Sequence, residues 1–319
     1  MRLSVPFVLG CSLLVGCGDN GGTPDAKPID APPDATPELS FMDNEGGEIR
    51  LEWISQFSPT AMATQTTART TAYFYKSQTP GNHTLPAFPG CFDMRAKDKW
   101  PLAQGTIVPL DVGGVTIKSK TGTDLVMTRD MSTPPTLDPF SRPHELWFKK
   151  TSNLPANDGD TFLPPNQTYD VVFAGSAEWP AQTIKDIAFM PAAWTVLAPA
   201  TNVTTNLVAG TDLTLTFTPA PSSNLPPGYR INTVVAFQVT TGFAGPVVLC
   251  QEEGSDGSIT VPAALVDILR SYGGGRYVRQ QLTHALFELT DGEPKPPGER
   301  KRVDVLSIYC YNTAWQPAP

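Results

Sequence analysis

Short apolar runs alternate with clusters of proline, glycine, asparagine and aspartate from about residue 48 to the end of the chain. The runs are rich in threonine, valine, isoleucine, leucine and aromatic residues, which is typical of β-strands bounded by turns. Period-two alternation is regular in Leu213–Phe217, where Leu213, Leu215 and Phe217 would face a core. The pattern predicts strands at 49–54, 70–75, 115–118, 124–128, 145–149, 169–174, 184–189, 194–197, 212–217, 231–239, 246–249, 258–261, 277–289 and 302–311.

One helix interrupts this pattern. Pro262 suits a first helical position, the apolar residues at 264, 265, 268 and 269 fall on one face, and the glycines at 273–275 would end it. Segment 277–289 fits helical and strand spacing alike. We predict a strand there, because Asp291-Gly292 and a Pro/Gly-rich loop lead into another β-rich run, as in a long hairpin. The chain is therefore predicted to be all-β, with antiparallel sheets and one short helix.

The sequence around Met190-Pro191-Ala192-Ala193 predicts a domain boundary, with β-sandwich domains at 44–190 and 191–319 in tandem. The second domain opens with Trp194-Thr-Val-Leu-Ala-Pro, which reads like a first sandwich strand. In length and strand count it resembles an immunoglobulin- or fibronectin-III-like module. The resemblance implies a β-sandwich that carries the helix as an insertion.

The N-terminal segment 1–16 has one basic residue, Arg2, followed by an apolar stretch from Leu3 to Val15. Thirteen residues are too few to span a bilayer as a helix, which takes about 20, so the segment reads as a secretion signal. It ends in Leu14-Val15-Gly16-Cys17, which resembles the lipobox of bacterial lipoproteins. The resemblance implies cleavage before Cys17 and its acylation, and removal of Cys11 with the signal. The alternative is an ordinary signal peptide followed by an unrelated cysteine.

Residues 17–43 contain a loose repeat of proline, aspartate and alanine, with no apolar period. Such a segment buries too little surface to offset its ordering entropy, so we expect a disordered, extended tether. Its composition resembles the tethers of envelope lipoproteins of the myxobacterial kind. Gly18, rather than an aspartate, follows the lipidated cysteine, which by that resemblance implies the outer membrane.

The net charge and the small number of histidines limit the partners and the catalytic functions that the chain can have. The chain has 31 acidic and 23 basic side chains, a net charge of −8, which argues against a nucleic-acid partner. Its three histidines, His83, His144 and His284, are isolated, and no H-E-x-x-H, C-x-x-C or G-x-S-x-G motif is present. We therefore expect no catalytic residue and no cofactor. The alternative is a secreted hydrolase with a β-sandwich accessory domain that uses His144 or His284.

Three cysteines would remain in the exported chain, in an oxidising compartment where pairing is expected. Cys250 and Cys310 both fall in the second domain, so the predicted disulfide is Cys250–Cys310. The alternatives are that one of them pairs with Cys91 across the domains, or that all three are buried thiols.

Two acidic loops and two tryptophans are further candidates. Asp158 and Asp160, and Glu252 and Asp256, could offer oxygens to calcium, but Asp-Gly and Asn-Asp pairs are also ordinary turn sequences, and we favour turns over a metal site. Trp100 and Trp179, each followed by proline, are the tryptophans expected to be exposed, where they could stack on sugar rings. They carry the alternative of a carbohydrate-binding surface protein.

Together these features predict a lipid-anchored protein of the cell envelope with a non-catalytic binding or structural role. The expected partners are the membrane, through the lipid, and an envelope protein or polysaccharide.

Overall fold

A computed structural model describes residues 40–41, 45–58, 63–77, 82–83, 89–95, 107–130, 147–151, 159–192, 194–218, 229, 231–239, 246–289 and 301–319. The predicted signal peptide, Cys17, most of the tether, Trp100, His144 and Asp158 lie outside these residues. Within the described part of the chain no helix is long and apolar enough to cross a membrane.

Strands dominate the described residues, and the two helices are short. In chain order the elements are β1 (Ser40–Phe41), β2 (Glu45–Ser58), β3 (Ala63–Ser77), β4 (Asn82–His83), β5 (Gly90–Asp93), β6 (Ile107–Pro109), β7 (Val115–Ser119), β8 (Leu125–Val126), β9 (Thr128–Asp130), β10 (Trp147–Thr151), α1 (Gly159–Phe162), β11 (Gln167–Phe173), β12 (Gln182–Met190), β13 (Val196–Ala198), β14 (Thr205–Leu207), β15 (Leu213–Phe217), β16 (Ile231–Val239), β17 (Pro246–Glu253), β18 (Ser258–Val261), α2 (Ala263–Arg270), β19 (Gly275–Leu289) and β20 (Lys301–Pro317). The all-β prediction is confirmed.

A large central sheet runs in the order β5-β17-β16-β19-β20-β2-β3-β10-β9, with β14 also paired to β20 and β6 to β3. Its longest hairpin joins β19 to β20 in an unbroken antiparallel ladder from Gly275 opposite Trp315 to Leu289 opposite Lys301. Segment 277–289 is therefore a strand, as predicted.

The central sheet takes strands from both sides of the boundary expected near residue 190. β2 lies parallel to β20 over twelve residue pairs, from Glu45 opposite Lys301 to Gln56 opposite Asn312. On its other edge β2 pairs with β3 along its whole length. The expected tandem of separate sandwiches at 44–190 and 191–319 is corrected in this respect, because backbone hydrogen bonds join the two segments within one sheet.

Two smaller sheets pack on one face of the central sheet, which we call the inner face. One has the order β12-β11-β7-β8 and the other β13-β15-β18. A single apolar core joins them to the central sheet and includes Leu51, Val235, Val171, Leu215 and Leu269. This layered arrangement places polar side chains of β16, β19 and β20 between the sheets, out of contact with solvent.

Part of the opposite face of the central sheet is also buried. It carries a second apolar cluster that includes Val234, Leu282 and Ile308. Further along the same face, the partly exposed Arg69 of β3 donates to the buried carboxylate of Glu52 of β2. Burial on both faces explains why period-two alternation is irregular in the long strands.

Helix α2 begins immediately after Pro262, which keeps an extended backbone conformation at the N-cap. The carboxylate of Asp212 accepts the first backbone N–H of the helix, from Ala263, at 2.7 Å. This contact supplies the cap that Pro262 itself cannot supply. Val266 and Leu269 are buried against the core, and Leu265 and Ile268 pack on it partly buried. The predicted apolar face is thus correct at 265, 268 and 269, whereas Ala264 is exposed and Val266 takes its place.

The disulfide differs from the predicted pairing. Cys91 of β5 lies directly opposite Cys250 of β17, and the two are bonded, with their Cα atoms 4.0 Å apart. The Cys250–Cys310 prediction is therefore wrong, because Cys250 already has its partner. Cys310 is fully buried on the opposite face of the sheet, in the second apolar cluster. Pairing across the expected boundary follows from the shared sheet, which brings β5 beside β17.

Candidate functional site

Four polar side chains on three neighbouring strands form what we call the interlayer polar site: Thr233 of β16, Arg279 and Gln281 of β19, and Ser307 of β20. Gln281 lies opposite Thr233 on one side and Tyr309 on the other, and Ser307 is two residues from Tyr309 on the same face. Strand alternation puts all four on the inner face. None of the four exposes more than 1% of its surface.

Arg279 is the centre of this site. Its Nη1 donates to the carbonyl of Pro199 at 2.6 Å, and its Nη2 donates to the Thr313 hydroxyl at 2.5 Å. The guanidinium carbon lies 5.0 Å from the centre of the Tyr277 ring, within cation–π range. These contacts fix the side chain between the layers, but none of them is with a negatively charged group.

Each residue of the site has a buried polar atom without a hydrogen-bond partner. The atoms are Arg279 Nε, Gln281 Nε2, Thr233 Oγ1 and Ser307 Oγ. Guanidinium and amide nitrogens only donate, and both hydroxyls can donate. All four atoms are buried between the sheets, and an unmet buried donor costs about 1–3 kcal/mol.

Burial also acts on the charge at Arg279. Desolvation lowers the pKa of its guanidinium, and the neighbouring Tyr277 and Tyr311 oppose that shift. The group nevertheless stays a cation, because arginine does not lose its proton in proteins. A buried cation of this kind requires compensation by negative charge or by several hydrogen bonds.

An aromatic wall borders the site. The Trp53 and Tyr309 rings stack with their centres 3.8 Å apart, and the Tyr311 hydroxyl donates to the carbonyl of Trp194 at 2.9 Å. Burial raises the pKa of Tyr309 and raises that of Tyr311 to about 12, in both cases with a further contribution from Asp160. Both hydroxyls therefore stay protonated at neutral pH and supply no negative charge to Arg279.

The acidic candidates from the sequence fall in two different parts of the fold. Asp160 is exposed in α1, whereas Glu252 lies near the end of β17 and Asp256 in the turn that follows. Partial burial raises the pKa of the Glu252 carboxyl, and the negative charges of Asp256 and Glu253 raise it further. Among the described side chains, no group of three His, Cys, Asp or Glu is placed to hold a metal ion.

The loop after Glu252 is a turn, which is the interpretation that the sequence favours. Residues 254–256 turn the chain from β17 of the central sheet into β18 of a smaller sheet. Gly257 adopts a φ of 70°, a left-handed conformation that glycine accepts without strain.

Trp179 is not an exposed platform. It is 1% exposed and packs against Phe74 and Phe173, with ring centres 6.1 and 5.7 Å away. The expectation that it could stack on a sugar is corrected, because the side chain is buried in the core. Trp100, its companion in that hypothesis, lies outside the described residues.

The alternative of a hydrolase that uses His144 or His284 remains a prediction. His284 lies in β19, opposite Leu306, and His144 lies outside the described part of the chain. The third histidine, His83, lies in β4.

Sequence reasoning did not find the interlayer polar site. The alternate residues Tyr277, Arg279, Gln281 and Thr283 of β19 share one face, and an arginine at the centre of such a series was the available signal. The sequence signal could not be interpreted alone. It requires the knowledge that β16 and β20 flank β19 and that the smaller sheets cover this face.

Comparisons with known proteins add little. No family model matches the chain, and no curated protein matches it. Among solved structures, the yeast delta-COP-I mu-homology domain is similar over 86% of this chain and 98% of that chain, with 9% sequence identity and a TM-score of 0.22. At this TM-score the similarity supports no statement about fold or function.

Proposed function

We propose that this chain is an exported, lipid-anchored protein of the cell envelope, with a non-catalytic binding role for its β-sheet body. The observation that carries the proposal is the sequence Leu14-Val15-Gly16-Cys17, at the end of a short apolar segment near the N-terminus. Several acyl chains on one cysteine give stable membrane attachment, which a single chain does not.

The segment after the cysteine supports an anchoring role. A proline-rich extended chain spans about 3 Å per residue, so the 23 residues from Gly18 to Ser40 would hold the body up to roughly 70 Å from the lipid. Such a spacer lets an anchored binder reach partners and keeps it at high local concentration.

The body supports binding through its interlayer polar site. The site holds four buried polar atoms without hydrogen-bond partners on three neighbouring strands, one of them on a buried cation, and its four residues include no carboxylate or histidine to act as a general base at neutral pH.

Lipidation is tested by expressing the full chain in a bacterial host that receives radiolabelled palmitate. We expect label in the wild-type chain and in Cys11→Ala, and loss of both label and membrane association in Cys17→Ala. Cys11→Ala is the matched control, because Cys11 also follows a glycine within the apolar segment. An unlabelled wild-type chain, or one released in soluble form, would contradict the proposal.

Protease treatment of intact cells then identifies the side of the membrane. If the body is cleaved while a periplasmic marker survives, the protein faces outward and binds partners from the surroundings. If the body is protected until the outer membrane is opened, its partners lie within the envelope.

A further inference from the structure

We propose that β2 is a load-bearing strand, which carries tension from the membrane anchor into the body without being peeled out of the central sheet. This inference rests on the anchoring half of the proposed function and adds a mechanical role to it. The pairing of β2 with β20 and with β3 carries the argument.

Tension on the tether enters the body at the start of β2. The preceding strand, β1, is held to β4 by only two residue pairs and offers little resistance. Glu45, the first residue of β2, lies opposite Lys301, the first residue of β20, and the two strands run parallel from there. The 17 residues of β20 end at Pro317, roughly 50 Å away. Tension between the tether and the far end of β20 therefore acts along the strands.

This direction of load shears the ladder between β2 and β20. The tether pulls β2 toward its own N-terminus, whereas load at Pro317 pulls β20 toward its C-terminus, so the parallel strands are drawn past each other. All twelve residue pairs must then yield within one residue rise of about 3.3 Å. Peeling from one end would break the pairs singly, and each broken pair would lengthen the span by two rises, about 7 Å. The same hydrogen bonds resist a higher force in shear, because they break over a shorter distance.

A second ladder holds the other edge of β2. β2 pairs antiparallel with β3 over its whole length, from Glu45 to Ser58. Because β3 is also paired with β10 and β6, it stays with the body when β2 is pulled. β19 holds β20 in the same way. An edge strand would have one ladder to resist the load, whereas β2 has two.

Side chains on the inner face add to the resistance. Ile49 and Leu51 are fully buried. Trp53 stacks on Tyr309, which lies directly opposite it in the ladder. A slip of one residue would move the apolar side chains of β2 to the other face of the sheet. We therefore expect β2 to hold its register until the whole ladder gives way.

Single-molecule pulling on the purified full chain in detergent tests the proposal. One chain carries three attachment peptides: after Gly22 in the tether, after Gly292 in the link from β19 to β20, and after residue 319. Pulling between the first and third shears β2 against β20. Pulling between the first and second loads both strands from the same end, because Leu289 lies opposite Lys301, and so peels them apart. The rupture force should be at least about twice as high in shear, since forced unfolding depends on the unfolding rate under load.

The two directions are matched controls, because they use the same molecule with the same stability. The released length identifies the event. With the Cys91–Cys250 bond intact, rupture in shear would release the 46 residue steps from Glu45 to Cys91 and the 67 from Cys250 to Pro317, which extend to about 400 Å. A reductant should add about 560 Å, for the 159 residues that the bond closes.

Equal rupture forces in the two directions would overturn the proposal, because β2 would then resist shear no better than peeling. The measurement does not depend on the lipid, so Cys17→Ala should show the same ratio of forces as the wild type. Absence of palmitate label in the earlier experiment would contradict the anchor and leave this ratio unchanged. Failure of anchoring and failure of the mechanical role are thus distinguished.

Discussion

Gly159 lies so close to the indole of Trp53 that no side chain fits at this position. A Cβ atom built on Gly159 would lie 2.4 Å from Trp53 Nε1 and 2.8 Å from Trp53 Cδ1. Because Trp53 is stacked on Tyr309, it cannot move without disturbing the aromatic wall of the interlayer polar site. We predict that Gly159→Ala lowers the free energy of unfolding by about 1–3 kcal/mol, as overpacked core substitutions do. Urea unfolding followed by tryptophan fluorescence measures the loss.

Gly114→Ala is the control for this prediction. A Cβ at Gly114 would meet only the Cβ of Ala174, at an ordinary 3.5 Å. Its free energy of unfolding should stay within about 0.5 kcal/mol of the wild type. Equal stability of the Gly159→Ala and Gly114→Ala variants would show that Trp53 is less constrained than the structure indicates.

The burial of Trp179 could not be predicted from its neighbours in the sequence. A tryptophan followed by proline in a polar loop reads as exposed, yet the loop folds back and places the ring between Phe74 and Phe173. The backbone N–H and carbonyl of Trp179 are held by Ser176. No sequence signal near Trp179 indicates that its ring is buried, because the two phenylalanines that contact it lie on strands of different sheets.

At the scale of elements, β5 is a four-residue edge strand that the Cys91–Cys250 bond ties to β17. The two cysteines are 159 residues apart in the chain, so the bond closes a long loop in the unfolded state. The chain-entropy relation gives about 5 kcal/mol for a loop of this length. We predict that Cys91→Ala lowers the free energy of unfolding by about 2–5 kcal/mol in urea titrations.

Two further measurements check this disulfide. Cys91→Ala/Cys250→Ala should lose little more stability than Cys91→Ala, since one substitution already removes the bond. Mass spectrometry of a non-reduced digest of the wild type should find the Cys91 peptide joined to the Cys250 peptide. A peptide joining Cys250 to Cys310 would contradict the structure.

Strand positions could be predicted from the sequence far better than strand partners. Apolar runs and turn residues located β11, β15 and β16, because those signals act within a few residues. Short edge strands such as β5 and β14 gave no signal of their own. Pairing of β2 with β20 joins residues more than 200 positions apart, and no local pattern specifies such a partner. The interlayer polar site was missed for the same reason.

At the scale of the whole molecule, the central sheet makes the two halves of the chain depend on each other. Ile49 and Leu51 of β2 and Val303 and Val305 of β20 are all fully or almost fully buried in the same core. Separating the halves would expose these side chains and leave both strands with an open edge, which favours aggregation. The folded body should therefore behave as one cooperative unit.

We predict that the full chain unfolds in urea in one transition, with the same midpoint by far-ultraviolet circular dichroism and by tryptophan fluorescence. Trp53 and Trp194 lie on either side of residue 190, so two domains of different stability would give two steps in the fluorescence curve. Fragments 44–190 and 191–319, expressed alone, should lack a cooperative transition, because β2 in the first and β20 in the second each lose one of their two long neighbours. Co-expression should restore a soluble complex by supplying β2 to β20. A cooperative transition in isolated 191–319 would instead support a self-sufficient module and remove the requirement for β2 beside β20.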